Sequence, residues 1–222
     1  MNPVKAFPPA TNRTRIVDTA LLLFNQRGVR HVTTNHIAER LGISPGNLYY
    51  HFRNKDEIVA ELYGAFESRV RPLLAAPPGP VPGVEDLWLL LHLVFEHMWA
   101  YRFLFRDLDE IVARNRRVGA RFAELMKASE TAVIELCASL ARFGAMRATA
   151  REIDALAKNV MLVSTYWTSF QRIAERRTLD PGEEAPGLDR AAYQVLALIA
   201  PYLQGDDRAL IERLGAEYLR ED

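Results

Sequence analysis

Cysteine is nearly missing from this chain. Cys137 stands alone among 222 residues, which excludes an intramolecular disulfide and any zinc cluster built on thiolates. Its place beside Leu136 and Leu140 in a helical pattern marks it as a buried structural thiol. Net charge is missing too: 28 Lys and Arg balance 28 Asp and Glu, so the composition as a whole gives no sign of a polyanionic partner. Long apolar runs are lacking. The longest uncharged stretch, 191–205, has 15 residues and is interrupted by Pro201, short of the roughly 20 residues a membrane-spanning helix needs. Residues 1–9 carry three prolines and no apolar run, so no signal peptide is expected and the cytoplasm is the expected location. No segment sustains strand alternation, no internal repeat is visible, and neither a nucleophile elbow nor a phosphate loop occurs.

What is present is helical periodicity. With 49% apolar and 25% charged residues the chain can bury a sizeable core. Ile16, Ala20, Leu23 and Phe24 form one stripe that ends at Gly28, a good C-cap residue. Thr33 and Thr34 can cap a short helix reaching Leu41, and Ser44 another reaching Phe52. Asn54 with Glu57 resembles a capping box that opens a longer helix carrying Ile58, Leu62 and Phe66, with Pro72 marking its end. Four prolines and two glycines then fall within 77–83 and predict a non-helical segment, either a boundary between head and body or a surface loop within one continuous core, the preceding helix packing on both sides. Further helical patterns cover roughly 84–101, 103–114, 118–144, 149–176, 188–203 and 206–220, with Thr149 and Glu152 as a second capping box. Asp180-Pro181-Gly182 and Pro186-Gly187 bracket an acidic loop. The expected fold is all-α. Its expected parts are a flexible tail over 1–10, a head over 11–55, a connecting helix over 56–74, and a helical body over 84–222.

Charge is divided between these parts. Residues 1–71 carry ten Lys and Arg against six acids, leaving the remainder equally acidic. A basic end on an acidic body fits a head that meets nucleic acid.

The informative segment is Thr34-Asn35-His36-Ile37-Ala38-Glu39-Arg40-Leu41-Gly42-Ile43-Ser44-Pro45-Gly46-Asn47-Leu48-Tyr49-Tyr50-His51-Phe52. Two short helices that cross steeply need a small side chain at the contact, supplied by Ala38. They also need a residue tolerant of positive φ at the turn, supplied by Gly42. Ile37, Leu41, Ile43, Leu48 and Phe52 supply the apolar inner side. This is a helix-turn-helix pattern with a second helix short enough for a major groove. Thr33 and Thr34 sit at a helix N-terminus, where free amides and hydroxyls suit a phosphate and also serve as an ordinary cap. Lys55 opens the next helix, where a cation opposes the helix dipole, so a nearby phosphate is expected. The exposed face, Pro45, Gly46, Asn47 and Tyr50, is the expected base reader. Asn47 suits adenine, while Pro45 and Tyr50 suit a thymine methyl. Arg13 and Arg15 are either further DNA contacts or a solvated face.

Gly46, Leu48-Tyr49, His51-Phe52 and Asn54-Lys55-Asp56-Glu57, together with Arg15, Ala20, Phe24 and Gly28 before them, resemble the TetR family's DNA-binding signature over residues 11–71. Ser44 to Phe52 further resembles the subset that includes polyhydroxyalkanoate regulators of the PhaD type. The resemblance implies a ligand-responsive regulator, expected to repress, that binds palindromic operator DNA as a homodimer. It makes Tyr49 and His51 phosphate contacts and places Thr33, Thr34, Ser44 and Lys55 in the same interface. The expected mechanism is a population shift, in which ligand favours a dimer whose heads are spaced wrongly for successive major grooves; activation or ligand-required binding stays open.

In the body, Trp88, His92, Phe95 and Trp99 recur on one helical stripe, and Tyr166, Trp167 and Phe170 form a second aromatic cluster. Such stripes serve as core, and family resemblance implies a ligand cavity in this part of the bundle. These seven residues are therefore the expected lining for a small apolar or amphipathic effector, with His92, Thr165 and Thr168 as polar groups. His92 and His97 are five residues apart, about 140° around a helix at 3.6 residues per turn, and cannot share one metal. No metal, cofactor or catalytic constellation is expected. The helices over 149–176 and 188–203 carry more apolar surface than one packing face needs; the pattern alone also allows deep burial within the monomer, and the resemblance makes them the dimer interface. Two other readings stay open: a small-molecule-binding bundle that acts through protein partners, and a helical enzyme.

Overall fold

Helix boundaries fall where capping residues place them. The computed structural model describes residues 11–75, 83–174 and 188–219. In α1 (Asn12–Arg27) the Thr11 hydroxyl accepts the Thr14 N–H at 3.2 Å, and Gly28 ends the helix at φ 88°. Thr33 caps α2 (Thr34–Leu41): its hydroxyl accepts from His36 N, while His36 Nδ1 accepts from Thr33 N, both at 3.3 Å. Ser44 caps α3 (Pro45–His51) through Asn47 N at 3.2 Å. Asn54 caps α4 (Lys55–Val70) through Glu57 N at 2.9 Å. The return half of that box is displaced by one residue, because Glu57 Oε2 accepts from Arg53 N at 2.8 Å. Pro72 stops α4 as expected, in a 3₁₀ turn over Arg71–Leu74.

The body comprises α5 (Val84–Ala100), α6 (Phe103–Arg106), α7 (Leu108–Arg114), α8 (Arg116–Arg142), α9 (Ala150–Ala174), α10 (Leu188–Ile199) and α11 (Gly205–Glu217). The helix expected over 103–114 is interrupted at Asp107 (φ −109°, ψ 23°), whose carboxylate turns toward the head. The Thr149–Glu152 box is complete, with hydrogen bonds of 2.7 and 3.3 Å. Helix α9 packs between α8 and α10, and α11 closes against α5 and α10. An isolated antiparallel bridge joins Met146 to Leu203, and no strand occurs among the described residues.

Apolar burial runs through the molecule without a break. Ile16, Phe24, Ile37, Leu48 and Phe52 meet Ile58 and Leu62 of α4, whose later turns carry Phe66 and Val70 into the body against Phe105 and Phe122. Each such side chain contributes roughly 1.5–3 kcal/mol when fully buried. Helix α4 therefore belongs to both cores at once. The expected tail over 1–10, the proline-rich boundary up to Pro82, the acidic loop and the last two residues of the 149–176 span lie outside the described residues.

Candidate nucleic-acid interface and buried cavity

Gly42 ends α2 in the left-handed region (φ 68°, ψ 31°), and its N–H bonds back to the carbonyls of Ala38 and Glu39. A Cβ at this position would meet nothing within 4 Å, so glycine is required by backbone geometry and not by crowding. Ala38 is buried at the crossing, Ile43 N donates to its carbonyl at 3.0 Å, and Ile37, Leu48 and Phe52 close the inner side. The opposite face of α3 is open: Pro45, Gly46, Asn47, Tyr49 and Tyr50 are all exposed, Tyr50 at 85%. Seven residues at 1.5 Å each span about 10 Å, a length that fits a major groove. At Gly46 a Cβ would meet only Ser44 Oγ, at 3.9 Å, so nothing inside the molecule demands glycine there.

The supporting contacts assign several polar residues to bracing. Tyr49 Oη and Thr34 Oγ1 lie 3.1 Å apart and tie α3 to the start of α2. Arg13 stays 49% exposed and is also engaged within the molecule. It donates to the His51 carbonyl at 3.0 Å, pairs with Glu61, and lies 4.3 Å over the Phe52 ring. Arg15 donates to Asn12 Oδ1 at 3.3 Å within its own helix. Lys55, expected near a phosphate, donates to the carbonyls of Val29 at 2.6 Å and Val32 at 3.0 Å. Those two bonds hold the α1–α2 loop and leave one ammonium proton for anything else. Burial, followed by repulsion from Arg114, pushes its pKa below the ordinary lysine value.

Head and body are clasped by side chains reaching both ways. Asn25 Nδ2 donates to Ala100 O at 2.8 Å, and Asn25 Oδ1 accepts from Phe103 N at 3.1 Å. Arg106 donates to the carbonyls of Phe24 and Asn25, capping the end of α1. Asp107 accepts from Val29 N at 2.8 Å, and Arg114 pairs with Asp56 at 3.4 Å. Deeper, Glu67 of α4 accepts from Arg71 and from both Nε and a terminal nitrogen of Arg121 on α8. Burial works to raise its pKa, but the hydrogen bonds from Arg71 and Arg121 win and hold it below the usual carboxylate value.

Between α4, α5, α8 and α9 lies a cavity of about 80 Å³. Phe95 lines it together with Phe66, Met98, Phe105, Phe122 and Met161, and Thr165 is one of its few polar groups. The other six aromatic or imidazole residues expected there lie elsewhere. Trp88 and His92 stack at 5.2 Å, and His92 Nδ1 meets Tyr218 Oη at 2.8 Å, fastening α11 to α5. Trp99 lies under the Arg102 guanidinium at 4.4 Å. Trp167 and Phe170 border a separate depression beside α10, and Tyr166 is exposed. Among the described residues no group of three or more His, Cys, Asp or Glu is arranged to hold a metal. No described helix is long and apolar enough to cross a membrane.

Comparison with known proteins matches this architecture. A family model described as "Bacterial regulatory proteins, tetR family" covers residues 16–62, and one described as "Bacterial transcriptional repressor" covers 65–211. The chain belongs to the TetR family. A solved TetR-family transcriptional regulator from Marinobacter aquaeolei VT8 is 35% identical, with a TM-score of 0.81 over 94% of this chain and 99% of that one. The transcriptional repressor KstR2 of Mycobacterium tuberculosis is 29% identical over 111 residues, 48% of this chain. The chain thus spans little more than half, 56%, of that relative's length. KstR2's solved structure, at 20% identity and a TM-score of 0.61, shares the fold.

Within this TetR-family fold, sequence reasoning missed most of the cavity. Leu91, Met98, Phe105, Phe122 and Met126 line it, yet their spacing reads as ordinary core. Periodicity gives the inward face of a helix but not where opposing faces fail to meet. Only Phe95 lies at the intersection of the visible stripe and the void.

Proposed function

We propose that this chain is a ligand-responsive transcriptional repressor that binds operator DNA as a homodimer. The observation that carries the reading is the α3 surface: one face seals the head's core, and the other presents Pro45, Gly46, Asn47 and Tyr50 to solvent on a helix of groove-fitting length. Gly46 supports it, since its missing side chain favours close approach by an outside surface and serves no internal packing. In this reading those four residues face base edges. Thr33, Thr34, Ser44, Tyr49 and His51 face the backbone, and Lys55 shapes the surface chiefly from behind. The similarity to KstR2, a transcriptional repressor, favours repression.

The dimer reading rests on α9. Leu162, Tyr166, Phe170 and Ile173 recur at intervals of four, four and three, and are exposed at 59%, 43%, 60% and 75%. A continuous apolar stripe of this kind is suited to a second copy of the same helix pair, α9 and α10. The cavity between α4 and α9 is the effector site. Phe105 lines it, and the next two residues, Arg106 and Asp107, hold the head. An effector that displaces Phe105 therefore acts on the head's orientation, and shifts the dimer toward a spacing that misses successive grooves.

The test is footprinting of the full-length protein on the DNA upstream of its own gene. A protected palindrome, with binding that weakens steeply as salt rises, is expected. Asn47→Ala should lose about 1–3 kcal/mol on the operator and little on random DNA. Absence of protection together with salt-insensitive binding would overturn the reading in favour of a protein partner.

A further inference from the structure

The cavity between α4, α5, α8 and α9 has a distinct chemistry. Of its 19 lining residues none is ionisable, and only Ser129, Ser164 and Thr165 bring side-chain oxygens. Ser129 stands on α8 and the other two on α9, which packs against it. Thr165 is buried, and none of the three hydroxyls hydrogen-bonds to another described residue. Glu67, which follows the lining residue Phe66, is itself shared between Arg71 and Arg121. A charged group entering here would find no counterion and only weak dipoles. An oxygen that accepts or donates a hydrogen bond would find up to three hydroxyls.

Volume adds a second constraint. A cavity of about 80 Å³ is smaller than the roughly 150 Å³ engineered void that accepts benzene. As it stands it holds a short aliphatic chain and not a fused ring. Met98, Met126 and Met161 line it, and their unbranched side chains can shift to lengthen the slot.

Resting on the reading of this cavity as the effector site, we propose that it takes an uncharged, unbranched aliphatic molecule carrying one hydroxyl or ester oxygen. The chain lies among the Phe and Met side chains, and the oxygen meets Ser129, Ser164 and Thr165. Charged homologues of equal length are excluded.

The probes are the 1-alkanols from butanol to decanol, the methyl alkanoates, and the alkanoates and alkylammoniums of matching length. Each is titrated calorimetrically into the full-length protein. Affinity for the neutral series should rise about fourfold per methylene until the slot is full, while the charged series binds at least tenfold more weakly. Thr165→Val should weaken alcohols and esters several-fold and leave the methylene increment unchanged. Ala132→Trp and Met161→Trp, two independent blocks, should each abolish binding. Equal affinity for carboxylates, no chain-length dependence, or binding that survives both Trp variants would overturn the assignment. Release of operator DNA is a separate readout. Selective binding of alkanols with no effect on DNA would sustain this chemistry while defeating the effector role.

Discussion

The Asp107 carboxylate accepts the Val29 N–H at 2.8 Å, and so joins the α6–α7 corner of the body to the loop between α1 and α2. Asp107 leaves helical geometry to do this, and it sits two residues after Phe105 of the cavity wall. Asp107→Ala should lower unfolding free energy by about 1.5–3 kcal/mol, the range for a hydrogen bond to a charged group. Urea denaturation measures that loss, and hydrogen exchange at Val29 should quicken. Unchanged exchange at Val29 would show that the bond is not maintained in solution.

Gly42 and Gly46 make a contrasting pair. Gly42→Ala should cost about 1–2 kcal/mol from the left-handed backbone alone, because a Cβ there meets nothing. Gly42→Asn should cost less. Gly46→Ala should leave the melting temperature unchanged or raise it slightly, since alanine is the better helix former, while operator affinity falls. Thermal melts set beside fluorescence anisotropy on operator DNA separate the two. A Gly46→Ala variant with full operator affinity would remove that residue from the contact surface.

Lys55→Met keeps the aliphatic stem and deletes both hydrogen bonds to Val29 O and Val32 O. The expected loss is about 1–3 kcal/mol in chemical denaturation. With most of the ammonium's donors turned inward, the salt slope of DNA binding should change by less than a full phosphate contact. A slope reduced by nearly one would return Lys55 to the phosphate backbone.

Glu67 predicts an acid sensitivity. Its folded-state pKa is held below the usual value of 4.5 by Arg71 and Arg121. The stabilisation is therefore fully present above about pH 4.5 and is lost as pH falls through the depressed folded value. Melting temperature should drop more steeply on acidification in the wild type than in Glu67→Gln, which has no proton to take up there. At neutral pH the variant should be less stable by about 1–3 kcal/mol, a modest figure because both arginines are partly exposed. Parallel pH profiles for the two proteins would contradict this account.

The head is largely legible in the amino-acid sequence. Thr33, Ser44 and Asn54 cap the helices they were expected to cap, and Gly42 turns where positive φ was required. Those assignments depend on contacts three or four residues apart, which residue order encodes directly. The internal partners of Arg13 and Lys55 are not legible in this way: each lies more than 20 residues distant, at Glu61, Val29 and Val32. A long cationic side chain reads as solvent-facing or anion-seeking until its neighbours are known.

The amino-acid order by itself determined that the chain is all-helical, where its short crossing helices turn, and which face of α3 looks outward. These follow from backbone sterics, capping and periodicity, all of which act over one or two turns. Only the tertiary structure decided that α4 serves two cores, that Asp107 breaks a helix to reach the head, and that the cavity lies among Phe66, Phe95, Phe105 and Phe122 instead of along the Trp88–Trp99 stripe. A void is a property of where several helices fail to touch, and no single helix carries that information in its own spacing.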